Sequence, residues 1–93
     1  MTGERSSKID RDLIRVLDRL TDTDEVEVLL YPKHVDKAFE RLLQTKKSEG
    51  ILDYNILKLA NCVAIKAPKP IILELAARDD VSRVAVNPRF TVN

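Results

Sequence analysis

Residues 25–32 read EVEVLLYP, and the alternation from Glu25 to Tyr31 decides what kind of fold the chain can adopt. Successive side chains on a strand point to opposite faces, so Val26, Val28 and Leu30 share one face while Glu25 and Glu27 take the other. Branched residues suit a pleated surface. The stretch is therefore a half-buried strand, and Pro32 ends it because proline brings no N–H to a ladder. Such a strand belongs to a sheet with one face in a core and the other turned away from it.

Downstream of Pro32 the period changes. Val35, Ala38, Phe39, Leu42 and Leu43 fall at i, i+3, i+4, i+7 and i+8, the spacing of an amphipathic helix. Asp36 stands at its positive end and Lys46 and Lys47 at its negative end, as the macrodipole favours. Gly50 is expected to stop the helix in a left-handed conformation. Residues 51–59 are rich in strand formers, Ala60-Asn61 supplies a turn, and residues 62–66 resume the strand pattern, which predicts a hairpin. Pro68-Lys69-Pro70 opens a short helix, since a missing N–H costs nothing in the first turn. Ile71, Ile72, Leu75 and Ala76 are its buried face. Arg78-Asp79-Asp80 turns the chain into a last strand at residues 81–86, and Asn87-Pro88 stops it.

Upstream, Ile9, Leu13, Val16, Leu17 and Leu20 form one helical stripe, with Ser7 or Asp10 available as the cap. The stripe packs on its own domain rather than on a partner helix. From residue 25 onward the order is strand, helix, strand, strand, helix, strand. This is α+β, the split βαβ pattern of a ferredoxin-like sandwich: a four-stranded antiparallel sheet with two helices on one face, plus the additional N-terminal helix. Residues 1–24 are the lead-in and helix, and residues 25–93 are the main domain with a tail at 87–93. The second sheet face is expected to stay open unless the N-terminal helix or a partner covers it.

With 93 residues, the chain makes one domain around one modest core. Lys and Arg number 16 against 15 acidic residues, so no net field recruits nucleic acid or an anionic membrane. The four aromatics are Tyr31, Phe39, Tyr54 and Phe90, too scattered to stack bases. The single cysteine, Cys62, excludes an intrachain disulfide, and it reads as a small buried apolar residue. His34 is the one histidine, with no cysteine, second histidine or serine at metal or triad spacing, so it reads as a solvated turn residue. Neither an enzyme, a cofactor nor a metal is expected. The polar start MTGERSSKIDRD is not a secretory leader, and no run reaches the ~20 apolar residues of a membrane span. The chain as given is expected to be unexported unless it was cut from a secreted precursor.

The strand EVEVLLYP, the lysine-rich helix ending in glycine, the hairpin, the short helix around ILELAARDD and the run VSRVAVNPRFTVN together resemble the propeptides of subtilisin-like serine proteases. These are small inhibitors and intramolecular chaperones. The resemblance covers nearly the whole chain, including the Lys8-Ile9-Asp10 helix start. It implies that the open sheet face packs on two surface helices of the protease and that the tail lies in the active-site cleft as a product-like strand. Asn93 would occupy the primary specificity pocket, Val92 and Thr91 would lie behind it, and Phe90 would fill an apolar pocket. Many such propeptides carry two acidic residues just after the last strand, facing protease helix N-termini. Here that place is held by Ala85-Val86-Asn87, with Asn87 the nearest substitute. The resemblance implies a subtilisin-like protease as partner and a monomer when free. The alternative is a ferredoxin-like protein-interaction domain without inhibitory activity.

Overall fold

A computed structural model of the chain describes residues 8–88. Within them the elements are α1 (Arg11–Arg19), β1 (Glu25–Pro32), α2 (Lys37–Glu49), β2 (Asp53–Leu57), β3 (Cys62–Pro68), α3 (Lys69–Ala76) and β4 (Val81–Val86), with a 3-10 turn at Lys58–Ala60. The four strands make one open antiparallel sheet in the order β2-β3-β1-β4. The fold is α+β, with three helices among the described residues.

Alternation does in β1 what its sequence asks. Val26, Val28, Leu30 and Pro32 are buried, while Glu25 is exposed and Glu27, Leu29 and Tyr31 are half-buried. Pairing fixes which residues join them on the core face: Val26 faces Ala67, Val28 faces Ile65 and Val86, and Leu30 faces Val63 and Val84. All three helices deliver their apolar residues to this one face. Leu13 and Leu17 of α1, Phe39 and Leu43 of α2, and Ile72, Leu75 and Ala76 of α3 form a single cluster with the strand valines. The core is aliphatic apart from Phe39 and a half-buried Tyr54 at its margin.

Four local expectations are corrected. Ile9 does not belong to the α1 stripe: it precedes the helix and bridges in parallel to Val84. The reason is Asp10, which stands at the N-cap position but makes no side-chain cap bond; its carboxylate is taken by Arg83. Gly50 ends α2 as expected, yet at φ 160°, extended and not left-handed. Space is tight there, since a Cβ would stand 3.2 Å from Cγ1 of Ile71 on α3 and that side chain would have to give way. The stretch 51–59 is not strand throughout. β2 covers Asp53–Leu57, Ile51 drops into the core at 3% exposure, and Lys58–Ala60 tightens into the 3-10 turn. The α2 stripe is also narrower than its spacing predicts, for Ala38 is exposed and Val35 precedes the helix.

Asn61 closes the hairpin in the left-handed region at φ 52°, a conformation asparagine tolerates better than most residues. Its side-chain amide donates to the Pro32 carbonyl at 3.3 Å, tying the hairpin tip to the end of β1. Pro70 sits in the first turn of α3 as its sequence predicts.

Candidate functional site

The face of the sheet away from the helices is the candidate. Its composition follows from register. One row crosses all four strands as Asn55, Ala64, Leu29 and Ala85. Beside it lies a charged row of Asp53, Lys66 and Glu27, and on the other side Leu57 pairs with Cys62 and Tyr31 with Arg83. None of these residues joins the core cluster, and α1, which could have covered this face, packs its buried leucines into the core instead. No described helix lies over it.

Charge on the face is sparse and mostly engaged. Lys66 approaches Glu25 at 4.0 Å with both side chains about half exposed, a geometry that contributes little. Arg83 is held more firmly: Nε donates to Oδ1 of Asp10 at 2.9 Å, Nη2 donates to Oδ2 at 2.5 Å, and the guanidinium lies 5.4 Å from the Tyr31 ring centre. The hydrogen bond from Arg83 holds the Asp10 carboxyl below its usual pKa. Glu27 forms no ion pair among the described residues.

This clasp carries backbone with it. The Asp10 amide donates to the Val84 carbonyl at 2.9 Å, the Val84 amide donates to the Lys8 carbonyl at 2.8 Å, and Lys8 Nζ donates to the Arg78 carbonyl at 2.7 Å. Residues 8–10 thus form a strap along the outer edge of β4. The β2 edge has no such cover among the described residues.

The tail begins in register with the sheet. The amide of Asn87 donates to the Glu27 carbonyl at 3.1 Å, one residue past β4, and Asn87 is 8% exposed with its polar groups engaged. Of the tail residues singled out in the sequence, Asn87 is therefore an anchored residue beside Glu27. Phe90, Thr91, Val92 and Asn93 lie outside the described residues.

The other candidates stay apart. His34 is exposed in the loop before α2. Cys62 is buried at 2%, and burial pushes its thiol pKa up, away from a reactive thiolate. No three His, Cys, Asp or Glu side chains among the described residues are grouped to hold a metal ion. The concavity between the strap and α3, lined by Lys8, Ile9, Leu73, Ala76 and Ala77, gathers one cation and apolar groups and no nucleophile.

Sequence reasoning placed Glu27 on the open side of β1 but did not single it out. Its significance rests on lying opposite Asn87, and that depends on pairing between segments sixty residues apart. No local pattern carries it. Comparison with known proteins found no matching family model, curated protein or solved structure.

Proposed function

We propose that this chain is a propeptide-like inhibitor or folding chaperone, or both, of a subtilisin-like serine protease, built as a ferredoxin-like βαββαβ sandwich with an added N-terminal helix. Two interleaved β-α-β units with β3 and β1 side by side at the sheet centre support the sandwich reading. The observation that carries the functional reading is the outer face: apolar at Ala64, Leu29 and Ala85 of its middle row, covered by no described helix, and bordered by the first residue of the tail. A face of that kind can accept the ridges of surface helices from a partner.

In this reading the folded domain works by positioning. The Asn87 main chain, still bonded to β1, sets the direction in which the tail leaves, so ordering the last residues on binding costs less than for a free peptide. Phe90, Thr91, Val92 and Asn93 then enter the cleft as an extended strand, making main-chain bonds with alternate side chains in subsites. The chain needs no catalytic residue of its own. The missing acidic pair after β4 is answered by Glu27 on the neighbouring strand, whose carbonyl accepts the Asn87 amide and whose carboxylate, in no ion pair among the described residues, suits a partner helix N-terminus.

Titration into a panel of subtilisin-like proteases tests this, with the full chain compared against a variant lacking residues 90–93. Competitive inhibition by the full chain, lost on truncation, is expected. Equal inhibition by both, or none by either, overturns the tail mechanism. Glu27→Gln in the full chain is expected to weaken inhibition roughly threefold to tenfold, the size of one charge at a helix end.

A further inference from the structure

Of the two edges of the sheet, only that of β2 is without a strap among the described residues, and it carries its own signature. Of the four large apolar residues clearly exposed among the described residues, three flank or end β2: Leu52 at 47%, Leu57 at 37% and Leu59, fully exposed at the hairpin tip. The Tyr54 amide donates at 2.9 Å to the Asp53 carboxylate, an acceptor outside the ladder with β3, so this N–H points off the sheet. Alternation along an antiparallel ladder turns the main-chain groups of Ile56 the same way.

We propose that the β2 edge pairs two copies of this chain across a two-fold axis through Asn55, joining two four-stranded sheets into one. The register is dictated by what the edge presents. The main-chain groups of Tyr54 and Ile56 point off the edge, and setting Tyr54 of one copy opposite Ile56 of the other forms two reciprocal hydrogen-bonded pairs, in which the Ile56 carbonyl of the second copy replaces the Asp53 carboxylate as acceptor of the Tyr54 amide and releases that carboxylate. Both side chains lie at the margin of the core, half-buried, and the pairing covers them with each other. The same register sets Leu57 against Asp53 of the second copy and brings Lys58 within reach of that carboxylate. Asp53 and Lys58 stand at opposite ends of the strand, so an antiparallel two-fold makes each charge meet its opposite twice.

That charge pattern selects the occupant. An edge guarded by Asp53 and Lys58 repels a strand that leaves those charges unanswered, whereas a second copy supplies both. The strap on β4 closes the other edge at Val84, so the association ends at a pair and does not grow into a fibre. The pairing reaches only the β2 margin of the outer face, through Asp53, Asn55 and Leu57, and it replaces the monomer expected of the free chain with a weak, concentration-dependent dimer suited to a short interface.

Sedimentation equilibrium from micromolar to millimolar chain tests the pairing, with circular dichroism checking that each variant is folded. The mass is expected to rise toward twice that of one chain. Asp53→Lys and Lys58→Asp, singly, are expected to weaken association roughly fivefold or more, because each leaves like charges opposed in both halves of the pair. The double exchange restores it. A single-chain mass at every concentration overturns the proposal. So does a dimer that both single exchanges leave unchanged, or one that the double exchange fails to restore.

Discussion

Asp36 lies outside α2 in an extended conformation, and its Oδ1 accepts from the Phe39 amide at 2.9 Å. That amide has no partner within the helix, so Asp36→Ala is expected to cost about 1 kcal/mol in urea unfolding, where a helix cap of this kind ordinarily falls. The cap is legible in sequence because it needs only a short polar side chain at the head of an apolar stripe. Cys62 is legible for a similar reason, lying in a run of strand formers. Its buried thiol is expected to resist labelling in the native chain and to react stoichiometrically in denaturant, and fast native labelling would place it at the surface. Gly50 shows where local reading stops. A glycine after a helix suggests a left-handed turn, but the Cβ of an alanine here would meet Ile71, twenty-one residues away in sequence, at 3.2 Å. That contact is tertiary, and only packing reveals it.

At the scale of elements, the N-terminal end of α1 illustrates a competition that sequence cannot decide. Asp10 can cap the helix or pair with a distant cation, and Arg83 wins with a two-pronged geometry that a backbone amide cannot match. The helix consequently starts at Arg11, and Ile9 is left to bridge to Val84. This clasp has a pH dependence of definite sign. Pairing depresses the folded Asp10 pKa below its ordinary value of 3.8, so the stabilisation is fully present above that value and is lost as pH falls through the lower, folded pKa. Asp80, paired with Arg78, is lowered for the same reason and loses its share in the same window. Asp10→Asn removes only the first. Its melting temperature is expected to lie below that of the parent chain near neutrality and to converge with it under strong acid. A gap that stays constant through the acid range would remove the ion pair as the cause. The hairpin behaves otherwise: the turn at Asn61 is local and legible, but the trimming of β2 to Asp53–Leu57 follows from Ile51 being drawn into the core.

For the whole molecule, the class of fold is readable because it rests on periods of two and 3.6 that each segment carries by itself. Strand order, register and the identity of the uncovered face are relations between segments, which is why Glu27 becomes a candidate only once β1 is set against β4. α1 lies between these cases: its apolar stripe is plain in sequence, whereas its role depends on which face it joins. It joins the core face, burying Leu13 completely and Leu17 to 4% exposure, with Val16 and Leu20 packed at the border. Burying a leucine is worth roughly 1.5–3 kcal/mol, so the two buried leucines alone account for about 3–6 kcal/mol before the cost of ordering the segment. That is a large fraction of the ~5–15 kcal/mol by which a small domain is stable. Removing residues 1–20 also uncovers Val84 along the β4 edge by deleting the strap. The truncated chain is therefore expected to lose several kcal/mol or its cooperative unfolding transition altogether. Leu13→Ala in the full chain should lose about 2–5 kcal/mol while keeping the strap in place. An unchanged melting temperature in both would mean that the sheet with α2 and α3 is sufficient and that α1 adds nothing to the core. A loss on truncation unmatched by Leu13→Ala would assign the stabilisation to the strap.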